Sequence, residues 1–245
     1  MTQAPHPPLS SYYGREGDRG TWVRGIFNRT ANNYDRLESI VGLGTGRWYR
    51  RRALREAGLK PGMTVIDVGT GTGLLASAAA HIVGDPTQVT GVDPSAGMLE
   101  NAKVPQGVRL LSGSAEAIPV AEGCADFLCM GYALRHISDL SAAAAEFYRV
   151  LRPGGRLCVL EITSPSGSLS RALLKAWLHG VVPRIAAAVA GRGDAPLLMR
   201  YYWDTIAACV PPATIVRTLA DAGFVDVERQ VELKIFSAYC ARKPG

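Results

Sequence analysis

The chain has 245 residues, 47% of them hydrophobic and 20% charged, with a formal net charge of +6. These values are typical of one globular domain with a substantial core. No uncharged apolar run reaches the ~18 residues of a membrane-spanning helix, and residues 1–8 lack the features of a secretory signal. Five cysteines without a Cys-x-x-Cys spacing favour free thiols in a reducing compartment over disulfides or a metal site. We therefore expect a cytoplasmic protein without a bound metal.

The N-terminal part of the chain carries the excess of positive charge. Residues 1–60 contain eleven Lys and Arg against five Asp and Glu, whereas the remainder is balanced. Residues 1–21 are rich in Pro, Ser, Gly and charge, which predicts a flexible segment. Residues 22–58 are predicted to form a helical lid, interrupted at the glycines of residues 42–46.

Arginines cluster with aromatic residues in one predicted helix of this lid. The cluster contains Arg47, Trp48, Tyr49, Arg50, Arg51, Arg52 and Arg55. Such a cluster is most often a solvated helix face; an anionic membrane surface and a nucleic acid are the functional alternatives. Between those two, we expect peripheral membrane contact and no nucleic-acid partner. The oligomeric state stays open, a homodimer included.

Strands and helices alternate after the lid. Strands are predicted at 63–68, 88–92, 108–111, 125–130 and 156–162, and helices at 73–83, from Ser95, and at 139–151. A helical insertion at 168–207, a helix at 213–223 and closing strands near 224–230 and 233–241 complete the chain. This order predicts an α/β fold with a doubly wound, mostly parallel sheet.

The motif Val65–Gly73 is the most informative stretch of the sequence. An apolar run ends in Asp67 and is followed by glycines at 69, 71 and 73. A second apolar run ends in Asp93, twenty residues past the last glycine. Glycines let a ligand approach the backbone, and an acid at the end of the second strand can accept hydrogen bonds from a ribose. The motif therefore predicts a nucleoside-bearing cofactor, with a generic glycine-rich turn as the structural alternative.

The glycine spacing bears on which cofactor binds. A dinucleotide fingerprint requires Gly-x-Gly-x-x-Gly, whereas this loop reads Gly-x-Gly-x-Gly. Asp67 would repel a pyrophosphate at the helix N-terminus but could pair with an ammonium group. This favours a zwitterionic nucleoside without phosphate, such as S-adenosylmethionine. A nicotinamide-dependent oxidoreductase is the second hypothesis, and a non-enzymatic fold with a basic docking arm is the third.

Several segments together resemble a known family, the class I S-adenosylmethionine-dependent methyltransferases. They are Val65–Gly73, Asp93–Ala102, Gly113–Pro119, Gly131–His136, Tyr148–Gly155 and Leu160–Ile162. Within this class, Ile26–Asp35, the segment from Leu43 to Arg47 and Leu173–Ile206 resemble the ubiquinone/menaquinone C-methyltransferase group. The resemblance implies a Rossmann-like methyltransferase fold in a single domain over residues 22–245, with a substrate-side insertion at 168–207.

The resemblance also implies methyl transfer to an aromatic or quinol-like small molecule, most simply at carbon. Departures from the group's pattern lie on the substrate side. Gly46 replaces its usual His, His136 replaces its usual Asn, and Met199, Tyr202 and Trp203 do not follow it. An O- or N-methyltransferase of an aromatic natural product or pathway intermediate is therefore the alternative.

The residues expected to contact S-adenosylmethionine lie on the lid and at the strand ends. They are Tyr34, Asp67, Gly69, Thr70, Gly71, Gly73, Asp93, Pro94, Met98, Ser114, Ala115 and Met130. Asp93 would hold the ribose hydroxyls, and Ser114 and Ala115 would lie against adenine. Asp67 is expected to order the loop or reach the ammonium group. Helix packing is the structural alternative for Tyr34 and Met98.

Arg135 and His136 are the candidate catalytic residues, because they follow the fourth predicted strand at the carboxyl edge of the sheet. His136 could transfer a proton near neutral pH, and Arg135 could stabilise a phenolate or polarise a water. Structural roles are the alternative for both. Aromatic walls for a flat acceptor are expected from Trp177, Tyr201, Tyr202 and Trp203, although Trp177 could equally belong to the core.

Overall fold

The computed structural model describes residues 3–41, 44–190 and 193–245. The N-terminal helices are α1 (Arg19–Thr30), α2 (Tyr34–Val41) and α3 (Gly46–Glu56). The alternating part comprises β1 (Val65–Val68), α4 (Leu74–Val83), β2 (Val89–Asp93), α5 (Ala96–Glu100), β3 (Arg109–Ser112), β4 (Ala125–Gly131), α6 (Leu140–Val150) and β5 (Leu151–Ile162). The remainder comprises α7 (Ser168–Lys175), a π-helical segment (Ala176–Val181), α8 (Val182–Ala190), α9 (Asp194–Ala208), α10 (Pro212–Asp221), β6 (Val225–Glu232) and β7 (Phe236–Arg242). Gly42 and Leu43 of the predicted interruption lie outside the described residues.

The sheet has seven strands in the order β3-β2-β1-β4-β5-β7-β6. The first five pair in parallel, and β7 pairs antiparallel with both β5 and β6. This confirms the predicted doubly wound, mostly parallel fold. The strands after β1 are added first on one side (β2, β3) and then on the other (β4, β5), so the strand order switches between β1 and β4. Ligands of open α/β sheets bind beyond the carboxyl ends of the strands at such a switch point.

Both faces of the sheet are covered, which explains the continuous apolar runs of the central strands. In β1, Ile66 and Val68 pack into the core on one face, while Val65 packs into the core on the other. Two helices have a side-chain cap at their N-terminus. The Ser95 hydroxyl accepts from the Met98 amide at the start of α5, and the Asp139 carboxylate accepts from two amides at the start of α6.

The fifth strand begins earlier than predicted. The predicted strand covers 156–162, whereas β5 starts at Leu151 and includes residues 152–155. Leu151 pairs with Ala125, and the register then shifts so that Arg156 pairs with Phe127. This irregularity accommodates the two glycines within a strand.

The N-terminal segment is packed against the rest of the fold, in contrast to the flexible segment that its composition predicts. We call residues 3–18 the strap. The Gln3 amide donates to the Asp139 carboxylate at 3.1 Å, and the Pro5 carbonyl accepts from the Val210 amide at 2.8 Å. His6 and Tyr13 are buried. Contacts with distant parts of the chain therefore hold a segment whose local composition is typical of disorder.

The insertion covers the carboxyl edge of the sheet with helices. Its segment Ser168–Ala190 is the one helical stretch of the described residues that is long and apolar enough to cross a membrane. Within the fold, α8 and α9 bury Val182, Ala186 and Leu198 in a helical core shared with α1. An apolar helix of a globular domain can pack in the same way.

Candidate functional site

A cavity of about 640 Å³ lies beyond the carboxyl ends of β1, β2 and β4. Nine of the residues predicted to contact the cofactor line it: Tyr34, Gly69, Gly71, Asp93, Pro94, Met98, Ser114, Ala115 and Met130. The strap and α1 form the opposite wall, with Glu16, Gly17 and Phe27 among the lining residues. We call this space the cofactor cavity.

The glycine loop brings backbone to the cavity surface. Gly69 and Gly71 have φ angles of 68° and 55°, which residues with a side chain rarely adopt. A Cβ atom on Gly71 would meet nothing within 4 Å, so its backbone faces open space that a ligand could occupy. Gly73 does not line the cavity, because its Cα faces the Val104 side chain, which a Cβ would approach to 2.2 Å. Gly73 thus allows close packing of the chain.

Asp67 and Thr70 lie beneath the loop and do not line the cavity. The Thr70 hydroxyl donates to the Asp67 carboxylate at 2.6 Å. Burial raises the pKa of Asp67 to about 7, although the hydrogen bond from Thr70 opposes this shift. Asp67 therefore orders the loop, one of the two roles expected of it, and does not face the ligand space.

Asp93 connects the loop to the next helix and faces the cavity. One carboxylate oxygen accepts from the Gly71 amide and the other from the Ser95 amide, both at 2.8 Å. Burial raises the pKa of Asp93 to about 6, with the two amide bonds acting in the opposite direction. A carboxylate has about four acceptor positions, so two amide bonds leave room for a pair of ligand hydroxyls.

A second, smaller cavity of about 260 Å³ adjoins the first. Tyr34 and Tyr132 line both cavities. The other lining side chains are mainly apolar or aromatic and include Ile162, Trp177, Tyr202 and Phe236. We call this space the inner cavity. Its flat, apolar walls suit an aromatic molecule.

Arg135 lines the inner cavity from within the core. Its guanidinium pairs with the Glu161 carboxylate, and both side chains are almost completely buried. Burial, the largest single influence, would lower the pKa of Arg135, but Glu161 together with Tyr202 and Tyr34 raises it overall. The Arg135 Nε atom is buried without a partner in the described part of the chain. Arg135 therefore places a buried, ion-paired guanidinium in the wall of the inner cavity.

His136 points to the cofactor cavity instead. Its ring stacks on Tyr201 with centroids 5.3 Å apart, and its Nδ1 lies 3.4 Å from the Tyr201 hydroxyl. Its Nε2 is buried and has no partner among the described residues. Burial, together with the charge of Arg135, holds the pKa of His136 well below its usual value. The imidazole is therefore neutral at physiological pH and keeps a free nitrogen.

The four aromatic residues predicted for the acceptor separate into two pairs. Trp177 and Tyr202 line the inner cavity, and the Arg135 guanidinium lies 5.0 Å from the Tyr202 ring centre. Tyr201 and Trp203 line neither cavity and belong to the helical core. Tyr201 contributes to the site indirectly, because it packs against the His136 ring.

Two residues at the centre of the site were not among the predicted ones. Glu161 ends the apolar run of β5, the same signal that singled out Asp67 and Asp93. Tyr132 follows β4 with a φ of 60°, and its amide donates to the Leu160 carbonyl at 2.7 Å. A residue other than glycine in this conformation stores strain that neighbouring contacts must hold, which is common at functional sites.

The chain matches the model of the ubiE/COQ5 methyltransferase family over residues 15–238. The ubiquinone/menaquinone biosynthesis C-methyltransferase UbiE of Shewanella woodyi is 30% identical over 232 residues, which cover 90% of this chain and 91% of the relative. That of Shewanella piezotolerans is 29% identical over 231 residues, with the same coverage.

Solved structures show the same fold. An S-adenosylmethionine-dependent methyltransferase of Thermotoga maritima superposes with a TM-score of 0.61 at 22% identity, covering 89% of this chain and 98% of that one. Phosphoethanolamine N-methyltransferase 2 of Haemonchus contortus, in complex with S-adenosyl-L-methionine, gives 0.58 at 18% identity, covering 80% of this chain and 52% of that one.

The glycine loop, the acid at the end of β2 and this sheet order are those of an S-adenosylmethionine-dependent methyltransferase. The family match and the 30% identity to a relative make the assignment specific. The chain belongs to the ubiE/COQ5 methyltransferase family. The resemblance found in the sequence is confirmed, and the oxidoreductase and non-enzymatic hypotheses are excluded.

Proposed function

We propose that this enzyme transfers a methyl group to a ring carbon of a quinol-like aromatic molecule bound in the inner cavity. The observation that carries the proposal is the buried Arg135 beside that cavity, with its Nε atom unpartnered. A cation held there favours the ionised form of an acceptor hydroxyl. The names of the relatives, C-methyltransferases of ubiquinone and menaquinone biosynthesis, agree with this acceptor class.

We expect the cofactor cavity to hold S-adenosylmethionine. Asp93 would accept from the ribose hydroxyls, and Ser114, Ala115 and Met98 would lie along the adenine. Gly69 and Gly71 would offer backbone to the amino-acid part, with Tyr34 closing that end at the boundary with the inner cavity. The cofactor supplies an electrophilic methyl group on a sulfonium, a leaving group that needs no protonation.

The inner cavity would hold the acceptor ring against this end of the cofactor. Well-aligned reactants correspond to effective molarities worth roughly 7–11 kcal/mol, so positioning provides much of the rate enhancement. Arg135 would stabilise a phenolate, whose negative charge is shared with the ring carbons beside the oxygen. A new C–C bond forms as the S–C bond breaks, and the ring carbon then loses its proton to restore aromaticity.

His136 is the proposed acceptor of that proton. Its lowered pKa keeps Nε2 unprotonated at neutral pH, and the nitrogen is buried where the protein offers no other partner. In this arrangement Tyr201 would orient the ring through Nδ1. The variant His136→Gln distinguishes this role from a purely structural one. Glutamine also accepts a hydrogen bond and would preserve packing, but it would not accept the proton.

An O- or N-methyltransferase of an aromatic natural product is the second candidate function. It is favoured by the side chains in which the acceptor side departs from the family's usual pattern, above all His136 and Tyr202. A histidine facing the site could deprotonate a hydroxyl directly and direct the methyl group to oxygen.

An assay with 1,4-naphthohydroquinone separates these candidates. The reduced acceptor is incubated without air with the enzyme and isotopically labelled cofactor, and the product is then exposed to air and analysed by mass spectrometry. Carbon methylation gives a labelled 2-methyl-1,4-naphthoquinone, because both hydroxyls remain free to oxidise. A labelled methyl ether that resists oxidation would overturn the carbon assignment. Asp93→Ala is the matched inactive control.

We further propose that the enzyme works in the cytoplasm. All five cysteines are free, as expected in a reducing compartment. Membrane contact would then be peripheral.

A further inference from the structure

The four most exposed large apolar side chains of the described residues lie on segments that line the inner cavity. They are Leu233, Leu169, Leu173 and Trp48, which are 78%, 73%, 64% and 60% exposed. Leu233 itself lines the cavity. The other three lie close in sequence to lining residues of α7 and α3. We call these four side chains the mouth surface.

Two helices present this surface from opposite sides. In α7, Leu169 and Leu173 are one turn apart, and a further turn leads to Trp177, which lines the cavity. In α3, the exposed Trp48 directly precedes Tyr49, which lines the cavity. The apolar stripe on α7 therefore continues from solvent into the cavity, so a molecule could pass along it without leaving apolar contact.

A chain of contacts joins Trp48 to Leu233. The Arg52 guanidinium lies 5.3 Å from the Trp48 ring centre and 3.0 Å from the Glu232 carboxylate. Glu232 precedes Leu233 in the turn between β6 and β7. Arg52 therefore links the helix that carries Trp48 to the turn that carries Leu233.

The mouth surface is surrounded by positive charge. Exposed basic residues on the same segments are Arg47, Arg171, Lys175 and Lys234. None of the four forms an ion pair within the described ranges, whereas the nearby acids Glu56 and Glu232 both pair with Arg52. Exposed Leu and Trp side chains with unneutralised cations around them are the composition of an interfacial membrane contact.

We propose that the mouth surface docks on an anionic lipid bilayer and presents the inner cavity to the membrane. The inference rests on the proposed function in one respect, that the inner cavity holds the acceptor; an apolar acceptor would then enter from the lipid. A second copy of the chain fits less well. In a symmetric dimer through this face, the cations of both copies would meet each other.

Co-sedimentation of the full chain with vesicles tests the proposal, without cofactor or acceptor. Vesicles of equal phosphatidylcholine and phosphatidylglycerol are compared with phosphatidylcholine alone. We expect binding to the anionic vesicles only. Leu173→Ser should weaken it roughly tenfold through lost apolar burial. Arg47→Gln should weaken it about fivefold, the effect of one basic residue near an anionic surface.

Matched variants elsewhere on the molecule serve as controls. Val225→Ser removes an exposed apolar side chain at the far end of β6 from Leu233, and Arg109→Gln removes an exposed cation on the edge strand β3. Both should bind vesicles like the wild type. Equal losses in the controls, or wild-type protein that stays in the supernatant with anionic vesicles, would overturn the proposal. So would light scattering that shows a dimer dissociated by Leu173→Ser.

The outcome is separable from that of the methylation assay. Calorimetry with S-adenosylhomocysteine should give the same affinity for Leu173→Ser and Arg47→Gln as for the wild type, because neither residue lines the cofactor cavity. A failed vesicle experiment with intact methylation of a water-soluble acceptor would refute the docking surface alone. Vesicle binding without methylation of any quinol would refute the acceptor assignment alone.

Discussion

The Tyr202 hydroxyl donates a hydrogen bond to the Tyr34 hydroxyl, with 2.9 Å between the oxygens. Tyr34 lines both cavities, and Tyr202 lines the inner one beneath the Arg135 guanidinium. The pair therefore joins the lid to the insertion at the boundary across which a methyl group would pass. It belongs to two parts of the chain that are distant in sequence.

Removing this hydrogen bond should weaken the contact between the lid and the insertion while leaving both cavities in place. For Tyr202→Phe we expect a loss of about 1 kcal/mol in the free energy of unfolding, the usual net value of one such bond. A double-mutant cycle with Tyr34→Phe should give a coupling energy of similar size, measured by urea unfolding. Tyr201→Phe is the control, since its hydroxyl does not contact Tyr34. Strict additivity of the two substitutions would contradict a direct interaction.

The buried pair of Arg135 and Glu161 allows stability to be separated from chemistry. Arg135→Met alone should cost about 3–5 kcal/mol, because it leaves the Glu161 carboxylate buried without its cation. Adding Glu161→Gln should restore much of that stability. Activity should remain lost in both variants, because the acceptor site then lacks its cation. Thermal unfolding and the methylation assay check the two parts, and activity of the double variant near the wild-type level would contradict the role given to Arg135.

Cofactor binding should weaken in mild acid. The pKa of Asp93 is raised to about 6 by burial, so its carboxyl is increasingly protonated below that pH and offers the ribose fewer charged acceptor positions. The dissociation constant of S-adenosylhomocysteine should therefore increase as pH falls from 7 to about 5. Asp93→Asn should bind weakly at every pH with little pH dependence. Calorimetry over this range decides, and an identical slope in both proteins would assign the effect to another group.

Asp67 should make the protein less stable as pH rises. Burial raises its pKa to about 7, above the value near 3.9 expected in the unfolded chain. Between those two values the folded state holds one more proton than the unfolded state. Its contribution to stability is thus full below about pH 4 and is lost by the time the pH passes about 7, at up to about 1.4 kcal/mol per pH unit. The free energy of unfolding of Asp67→Asn should increase relative to that of the wild type as pH rises from 5 to 7, as measured by urea unfolding. A constant difference between the two proteins would contradict the raised pKa.

The central fold could be predicted because its signals are local. Val65–Gly73 and the run ending at Asp93 combine strand, turn and acid within a few residues, and the carboxyl ends of parallel strands necessarily meet at one edge. Nine of the twelve residues expected at the cofactor line one cavity; some, such as Ser114 and Ala115, were expected from the family resemblance and not from local signals alone. Whether they bind the cofactor is a question for the experiments above.

The acceptor side could not be resolved in the same way. Tyr201 and Tyr202 are adjacent on α9, and one position rotates a side chain by about 100° around a helix axis. Which of the two faces a cavity depends on how α9 is rotated about its axis against its neighbours. The sequence alone does not give this rotation. Glu161 was within reach of sequence reasoning, whereas the packed strap was not, because the contacts that hold it against the fold, such as those to Asp139, Val210 and Thr218, are with distant residues.

The strap also sets the order in which the protein can be completed. Gln3 contacts the Asp139 carboxylate, and its side chain accepts a hydrogen bond from the Thr218 hydroxyl, 215 positions further along the chain. This wall of the cofactor cavity therefore cannot close until the chain has been synthesised through Thr218. Strands β1 to β5 end at Ile162 and can pair before this wall closes, so a nascent chain would acquire cofactor affinity only after its central sheet has formed.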